Sequence, residues 1–262
     1  LAPGRGMSGL PLAYRRRLRG IVPPLVLALA WEAASRSGLP GTHLLPSLVV
    51  VVERAYTQFA ERHLLHDITA SLTRTLLGFV IGSGLGLVVG LAFGLSRTVE
   101  RLIGPTFDAL KQIALFAWIP LIAVWFGVGE TAKVAFIALA AFTPMVVNAW
   151  EGTRSVDKQY VEVARVFTFS RAQFIRRVAL PSATPSIFTG LHLSLIYAWL
   201  ATVGAEYFMT LGPGIGSLMM DERERYHMDL VLMCVVILGL IGLVLNRGVA
   251  RLEGRLLRWR QR

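Results

Sequence analysis

The sequence predicts an all-α, polytopic membrane bundle of six transmembrane helices. Three observations predict it. Of 262 residues, 54% are hydrophobic and only 16% charged, where a soluble domain carries about 25% charged residues. Five runs of 17 to 28 residues contain no Asp, Glu, Lys or Arg: 75–95, 113–129, 134–150, 178–205 and 230–246. A spanning helix needs about 20 mostly apolar residues. The 27 Lys and Arg against 16 Asp and Glu leave a net charge of +11, which a bilayer accommodates in the connections on one side. A disordered chain is excluded by the apolar content. A nucleic-acid-binding domain would account for the charge but not for that content. The single cysteine, Cys234, excludes an internal disulfide and a multi-cysteine metal site.

The first apolar segment, 21–39, follows Arg15, Arg16 and Arg17 and is interrupted by Glu32 and Arg36. No small-residue cleavage site closes it, so it is expected to be retained as the first span. Glu32 is expected to pack or to form an interfacial hydrogen bond. Residues 46–59 are too short and polar to cross. Leu48, Val51, Val52, Ala55 and Phe59 follow helical spacing with Glu53, Arg54 and Gln58 between them, which predicts an amphipathic helix on the outer surface or the bundle rim. Residues 1–66 thus form an N-terminal unit, 67–250 the transmembrane core and 251–262 a basic tail. His63, His66 and Asp67 read as a solvated polar cluster rather than a metal site.

The second span carries Gly78, Gly82, Gly86, Gly90 and Gly94, each four residues from the next and so on nearly one face. Helices in lipid associate largely by close backbone approach, so this face is expected to pack on a neighbour; a glycine-lined channel is the other reading. The third span begins before its uncharged run, with Asp108 and Lys111 three residues apart on one face, and Pro120 interrupts it. Two readings stand: a local ion pair beside a kink, or a broken helix lining a pathway. In the fifth span His192 is expected to bond a neighbouring helix. Glu206, at its end, is either an interfacial carboxylate that contacts water or pairs with Arg223 or Arg225, or a gating or pathway residue. Gly212-Pro213-Gly214-Ile215-Gly216 is a turn-rich connection to the last span.

With both termini in the cytoplasm, cytoplasmic segments hold 19 Lys and Arg and outer segments 6. The positive-inside rule favours that orientation, and the basic balance reports topology and contact with anionic lipid. The longest internal connection, 151–183, has the marks of folded structure. Asp157 or Ser155 can cap a helix running to Val166. Ser170 and Gln173 have capping-box spacing, so a second helix is expected there. Phe167 and Phe169 lie between the two, and apolar groups projecting from a basic loop suggest partner docking.

Glu162-Val163-Ala164, Thr168 and Val178-Ala179-Leu180-Pro181 resemble the EAA loop of ABC importer permeases. That pattern is Glu-Ala-Ala, three residues, Gly, nine residues, Ile or Val, one residue, Leu-Pro. The spacing matches throughout, with Val163 in place of Ala and Thr168 in place of Gly. A glycine there would supply a positive φ, so Thr168 is expected to alter the turn. Trp31-Glu32, Leu45-Pro46-Ser47, Arg74-Thr75-Leu76, Gly78-Phe79, Trp125-Phe126-Gly127 with Gly129-Glu130, Ala183 and Pro185, Ala205-Glu206, and Leu256-Leu257-Arg258-Trp259 extend the resemblance over residues 20–260. They are similar to the nitrate, sulfonate, taurine and bicarbonate branch, most of all to its aliphatic sulfonate permeases.

The resemblance implies the type I ABC importer (EAA-loop) permease fold in a bacterial inner membrane. It implies a second permease copy as in a homodimer, a cytoplasmic ABC ATPase dimer holding ATP and magnesium, and an extracytoplasmic solute-binding protein. No cofactor, catalytic residue or metal site is expected in this chain, and no nucleic acid as partner. Val161, Glu162, Ala164, Arg165, Phe167, Thr168, Phe169 and Phe174 become the expected ATPase-coupling residues. Glu162 and Arg165 would make polar contacts; Val161, Ala164, Phe167 and Phe169 would supply apolar area. Lys111, Asp108 and Glu206 become pathway candidates, with Lys111 the attractive charge for an oxyanion such as a sulfonate, taurine or nitrate. The alternative is an ion-gradient-driven secondary transporter. It would want paired intramembrane carboxylates and internal repeats, and it gives the EAA-like loop no role.

Overall fold

The computed structural model describes residues 12–37, 45–60 and 63–256. Arg5, Arg62, Arg258, Arg260 and Arg262 of the arginine count, and Leu257 and Trp259 of the resemblance, lie outside the described residues. Every regular element described is helical, in the order α1 (Leu12–Arg36), α2 (Leu48–Ala60), α3 (His63–Leu95), α4 (Arg97–Leu110), a 3₁₀ turn (Leu115–Trp118), α5 (Ile119–Phe126), α6 (Glu130–Arg154), α7 (Lys158–Val166), α8 (Arg171–Phe174), a π turn (Ile175–Ala179), α9 (Leu180–Phe208), α10 (Ile215–Glu224) and α11 (Met228–Leu256).

Among the described residues, four helices are long and apolar enough to cross a membrane: α3, α6, the continuous Arg171–Phe208 rod and α11. The α4 and α5 segments make a fifth span as a pair bent by 96°. The expected first span, α1, is not among the helices that are long and apolar enough; its Val22, Leu25, Val26, Leu27 and Leu29 are all exposed. The bend precedes Pro120: α4 stops at Leu110, and the chain turns through 111–114 before the 3₁₀ turn.

At the bundle's centre, α6 lies between α3 and α9. Phe136, Ile137, Ala140 and Ala141 of α6 are buried with Ile122 of α5 and with Ala198, Ala201 and Ala205 of α9. The glycine face of α3 runs along α6. A Cβ on Gly82 would overlap the backbone of Ala138, one on Gly86 would meet Phe142 O at 2.7 Å, and one on Gly90 would meet Val146 O at 2.5 Å. Gly78 lies against Ile137 and Gly94 against Thr153 in the same way. These glycines are therefore a packing face and not a channel wall. Near the 151–183 loop, Phe93 of α3 meets Phe107 and Trp150 edge-on, with ring centroids 5.7 and 5.6 Å away.

The α2 helix sits on the bundle rim. Val51 is buried with Leu64 of α3, Ile215 of α10 and Met233 and Cys234 of α11, and Arg54 pairs with Asp229 at 2.6 Å. Of its expected apolar face, Val52 and Phe59 point outward. Glu32 accepts the Leu48 backbone N–H at 2.9 Å, capping α2 from α1, while Trp31 donates to Pro46 O. His192 bonds Asn246 across α9 and α11.

The fifth span starts well before its uncharged run, 178–205. Ser170 and Gln173 do form the capping box, but the helix they start runs on unbroken into α9. It passes through one wide turn in which Leu180 N–H bonds Ile175 O. That turn lies just before Pro181, which has no N–H for the carbonyl four residues back and whose ring crowds it. Widening to the i→i+5 pattern relieves the clash without ending the helix.

Candidate functional site

Three places in the bundle gather functional side chains. At the end away from the 151–183 loop, Arg74 of α3 is 4% exposed. Its Nη1 donates to Glu206 Oε1 at 2.6 Å and its Nη2 to Glu130 Oε1 at 2.7 Å, and Nε also bonds Glu130. Glu206 is fully buried. Ser71 Oγ donates to its carboxylate at 2.8 Å and Gly216 N–H at 2.9 Å. Ile215 N–H reaches Ser71 Oγ, and Gly214 N–H reaches Asp67 Oδ1. The first N–H groups of α10, which have no intrahelical partner, thus meet oxygens from α3 and α9, and the helix dipole favours that negative charge. Close by in sequence, Lys133 is also fully buried and donates to Leu211 O at 2.6 Å. A desolvated carboxylate persists only if paired and hydrogen-bonded, and Glu206 is both. This corrects the expected pairing with Arg223 or Arg225: Arg223 instead bonds Tyr207, and Arg225 bonds Glu222. With three donors on its oxygens (Ser71, Arg74 and Gly216) and no exposure, Glu206 joins α3, α9 and α10 as a lock.

Pathway candidates Lys111 and Asp108 sit elsewhere, at the bend. They form the expected local pair, Lys111 Nζ to Asp108 Oδ1 at 2.7 Å. Lys111 also lines a cavity of about 640 Å³ bounded by α4, the bend, α6 and α9. Gln112, Thr143, Asn148 and Tyr197 contribute polar groups to it; Phe107, Leu115, Trp118 and Phe142 contribute apolar wall. Lys111 is the only cationic residue among its described lining residues.

In the 151–183 loop, Asp157 caps α7 by accepting Gln159 N–H at 3.0 Å. The helix then closes with Thr168 N–H to Arg165 O and Phe169 N–H to Ala164 O, the pair of bonds that defines a Schellman end. Such an end needs a left-handed residue at Thr168's position, and Thr168 has φ of 51°. The turn that a glycine would make is therefore kept, at a cost of about 1–2 kcal/mol for the β-branched side chain. Thr168→Gly is expected to leave uptake intact and raise the melting temperature of the purified permease by about 2 °C. A lower melting temperature would show that Thr168 has a compensating role.

Exposure redraws the expected coupling surface. Glu162 and Arg165 are exposed, Val161, Phe169 and Phe174 are half-buried, and Phe167 is 68% exposed. Ala164 is buried, so its side chain is not on the exposed face. Tyr160, Val163 and Val166 are exposed instead and extend the apolar face of Phe167. Sequence reasoning missed all three. Their spacing with Phe167 is the signal, since 160, 163 and 167 share one helical face. Sequence reasoning also missed Ser71, Arg74, Glu130 and Lys133. For the first two a signal existed: Asp67, Ser71, Arg74 and Thr75 lie on the same α3 stripe that continues into Gly78 and Gly82. The loop is tied to the bundle by Arg171 to Leu95 O at 3.1 Å and Arg177 over the Phe169 ring at 5.8 Å.

A bundle with a broken span beside a mostly apolar cavity that carries a few polar groups, and a folded loop presenting an apolar face at one end, fits the membrane subunit of a solute transporter. The model of the family described as binding-protein-dependent transport system inner membrane component matches residues 82–258, and the chain belongs to that family. It is similar to the putative aliphatic sulfonates transport permease protein SsuC of Escherichia coli (strain K12), 38% identical over 90% of this chain and 89% of the relative. To the protein of the same name in Bacillus subtilis (strain 168) it is 35% identical, over 93% and 88%. The bicarbonate transport system permease protein CmpB of Synechococcus elongatus is 34% identical over 97% and 96%. Among solved structures, the inward-facing MetNI methionine ABC transporter superposes with a TM-score of 0.62, covering 74% of this chain and 96% of that one at 18% identity; that likeness concerns the fold alone. The protein is a multi-pass inner-membrane permease subunit of an ABC importer and not an enzyme. ATP hydrolysis resides on a separate subunit, and a solute-binding protein is a further partner.

Proposed function

We propose that two copies of this chain form the membrane pathway of an importer for a small oxyanion, such as an aliphatic sulfonate, taurine or nitrate, with the sulfonate fitting best. The observation that carries this reading is the cavity at the bend. One cation, two amides and two hydroxyls face an otherwise apolar space, which suits an anionic head and a short hydrocarbon tail. The names of the relatives, aliphatic sulfonate and bicarbonate permeases, agree with an anion. Both termini and the 151–183 loop would face the cytoplasm, as the arginine distribution favours.

The loop is the docking element for the ATPase dimer, which holds ATP and magnesium. Tyr160, Val163, Val166 and Phe167 form an exposed apolar face on α7, flanked by the charges of Glu162 and Arg165. An apolar face outside the lipid has reason to persist when a partner covers it. Closure of the ATPase dimer would move α7, and the unbroken rod from Arg171 to Phe208 would carry that motion into the bundle as a rigid body. Glu162→Ala with Arg165→Ala is expected to cut ATP-driven uptake at least tenfold while ATP hydrolysis by the complex continues. Undiminished uptake at normal expression in a deletion strain would remove these residues from the coupling interface.

A further inference from the structure

Lys111 occupies an unusual position for a solute-binding cation. It closes the C-terminal end of α4, with its backbone N–H on Phe107 O at 2.9 Å. Its ammonium is held by Asp108 at 2.7 Å and lies 5.7 Å from the centroid of the Phe107 ring. The side chain also lines a second cavity of about 410 Å³ with Trp150, Glu151, Arg154 and Ser155. Both cavities share Lys111 and Val147. Lys111 thus stands on the boundary between the two spaces, with Asp108 paired to it from one turn earlier on α4. Beyond it the next cation, Arg154, is likewise matched to a carboxylate, Glu100 at 2.6 Å.

A lone ammonium in a mostly apolar cavity is costly when the cavity is empty and holds an anion too firmly when it is full. Transport needs a site favourable enough to enter and weak enough to leave. We propose that Asp108 is an internal competitor for the solute at Lys111: the arriving anion displaces the Asp108 carboxylate from the ammonium, and Asp108 reclaims it as the anion moves on to the Arg154 cavity. The flexible four-carbon stem of lysine allows the ammonium to exchange partners without moving the backbone. The two residues lie one helical turn apart, so the displaced carboxylate stays within reach. The Asp108 side chain is 48% exposed and the Lys111 side chain 29% exposed, which leaves both open to exchange. The exchange is non-covalent, and the pair is neutral in the empty state.

This proposal rests on the anion reading above, and the test separates the two. The complex of permease and ATPase, without binding protein, is placed in nanodiscs, and equilibrium binding of radiolabelled ethanesulfonate is measured. Uptake turnover is measured in proteoliposomes with saturating binding protein. Asp108→Asn and Asp108→Ala are expected to bind ethanesulfonate roughly fivefold tighter than wild type and to turn over more slowly. Lys111→Gln is expected to bind it more weakly, and Lys111→Gln with Asp108→Asn to behave as Lys111→Gln alone. If both Asp108 variants match wild type in affinity and turnover, or if Lys111→Gln binds as wild type does, the competitor proposal is overturned and the anion reading stands. If the wild-type complex takes up no ethanesulfonate, nitrate or bicarbonate, the anion reading falls, and the proposal falls with it.

Discussion

Replacing Arg74 by Met is expected to lower the melting temperature of the detergent-purified permease by about 10 °C and to deplete it from the membrane. The basis is the asymmetry of its two partners. Glu130 is 57% exposed on its side chain, so water can solvate it when Arg74 is gone, and that half of the contact is worth less than about 1 kcal/mol. Glu206 has no exposure at all. Breaking a buried pair by removing one partner costs about 3–5 kcal/mol, because the other charge stays desolvated. Against a total stability of about 5–15 kcal/mol, this is a large fraction. For a chain of this size each kcal/mol moves the midpoint by about 2–4 °C. Glu130→Gln should therefore be mild and Arg74→Met severe. Glu206→Gln in the Arg74→Met background should recover part of the loss, since a neutral amide can still accept from Ser71 and Gly216. A coupling of about 1–3 kcal/mol between the two changes is expected from such a shared network. Equal melting of wild type and Arg74→Met would refute the lock.

The lock also marks where sequence reasoning stops. Arg74 and Glu206 are separated by 132 positions, and no local spacing relates them. Counting arginines assigns each charge an expected side of the membrane, and it counts Lys133 with the outer segments. The structure buries Lys133 completely, because the 209–214 connection folds back over the start of α6 and offers Leu211 O to its ammonium. Counting sees position along the chain, whereas desolvation depends on what folds over it. Features set by local helical spacing were legible: the Asp157 cap, the Ser170–Gln173 box, the Lys111–Asp108 pair and the repeating glycine stripe. Thr168 was half legible. The spacing located the turn, but the residue type suggested that its geometry would change, and the Schellman bonds to Ala164 and Arg165 outweigh the local preference of threonine. Ala164 shows the same limit from the other side. Its place in the motif suggested partner contact, while the structure buries its side chain.

The glycine stripe permits a test in which one chemical change has two opposite outcomes. Gly82→Ala is expected to destabilise the permease by about 1–3 kcal/mol, the usual cost of overpacking. A Cβ at this position would overlap Ala138 O, C and Cα together. These are backbone atoms of α6, so no rotamer change can make room, and α3 must move away from α6. In lipid that separation is not opposed by the hydrophobic effect, and the close contacts of the pair are what hold it. Gly84, two residues along the same helix, has nothing within 4 Å of an added Cβ. Alanine there keeps every contact and gains about 0.8–1 kcal/mol of helix propensity. Gly82→Ala should therefore melt below wild type and Gly84→Ala at or above it. If both fell together, helix flexibility would be the property the glycines supply; the opposite signs would assign the stripe to the approach of α6. Gly82→Leu should then abolish uptake, since three further carbons must fit where one does not, and Gly84→Leu should retain it.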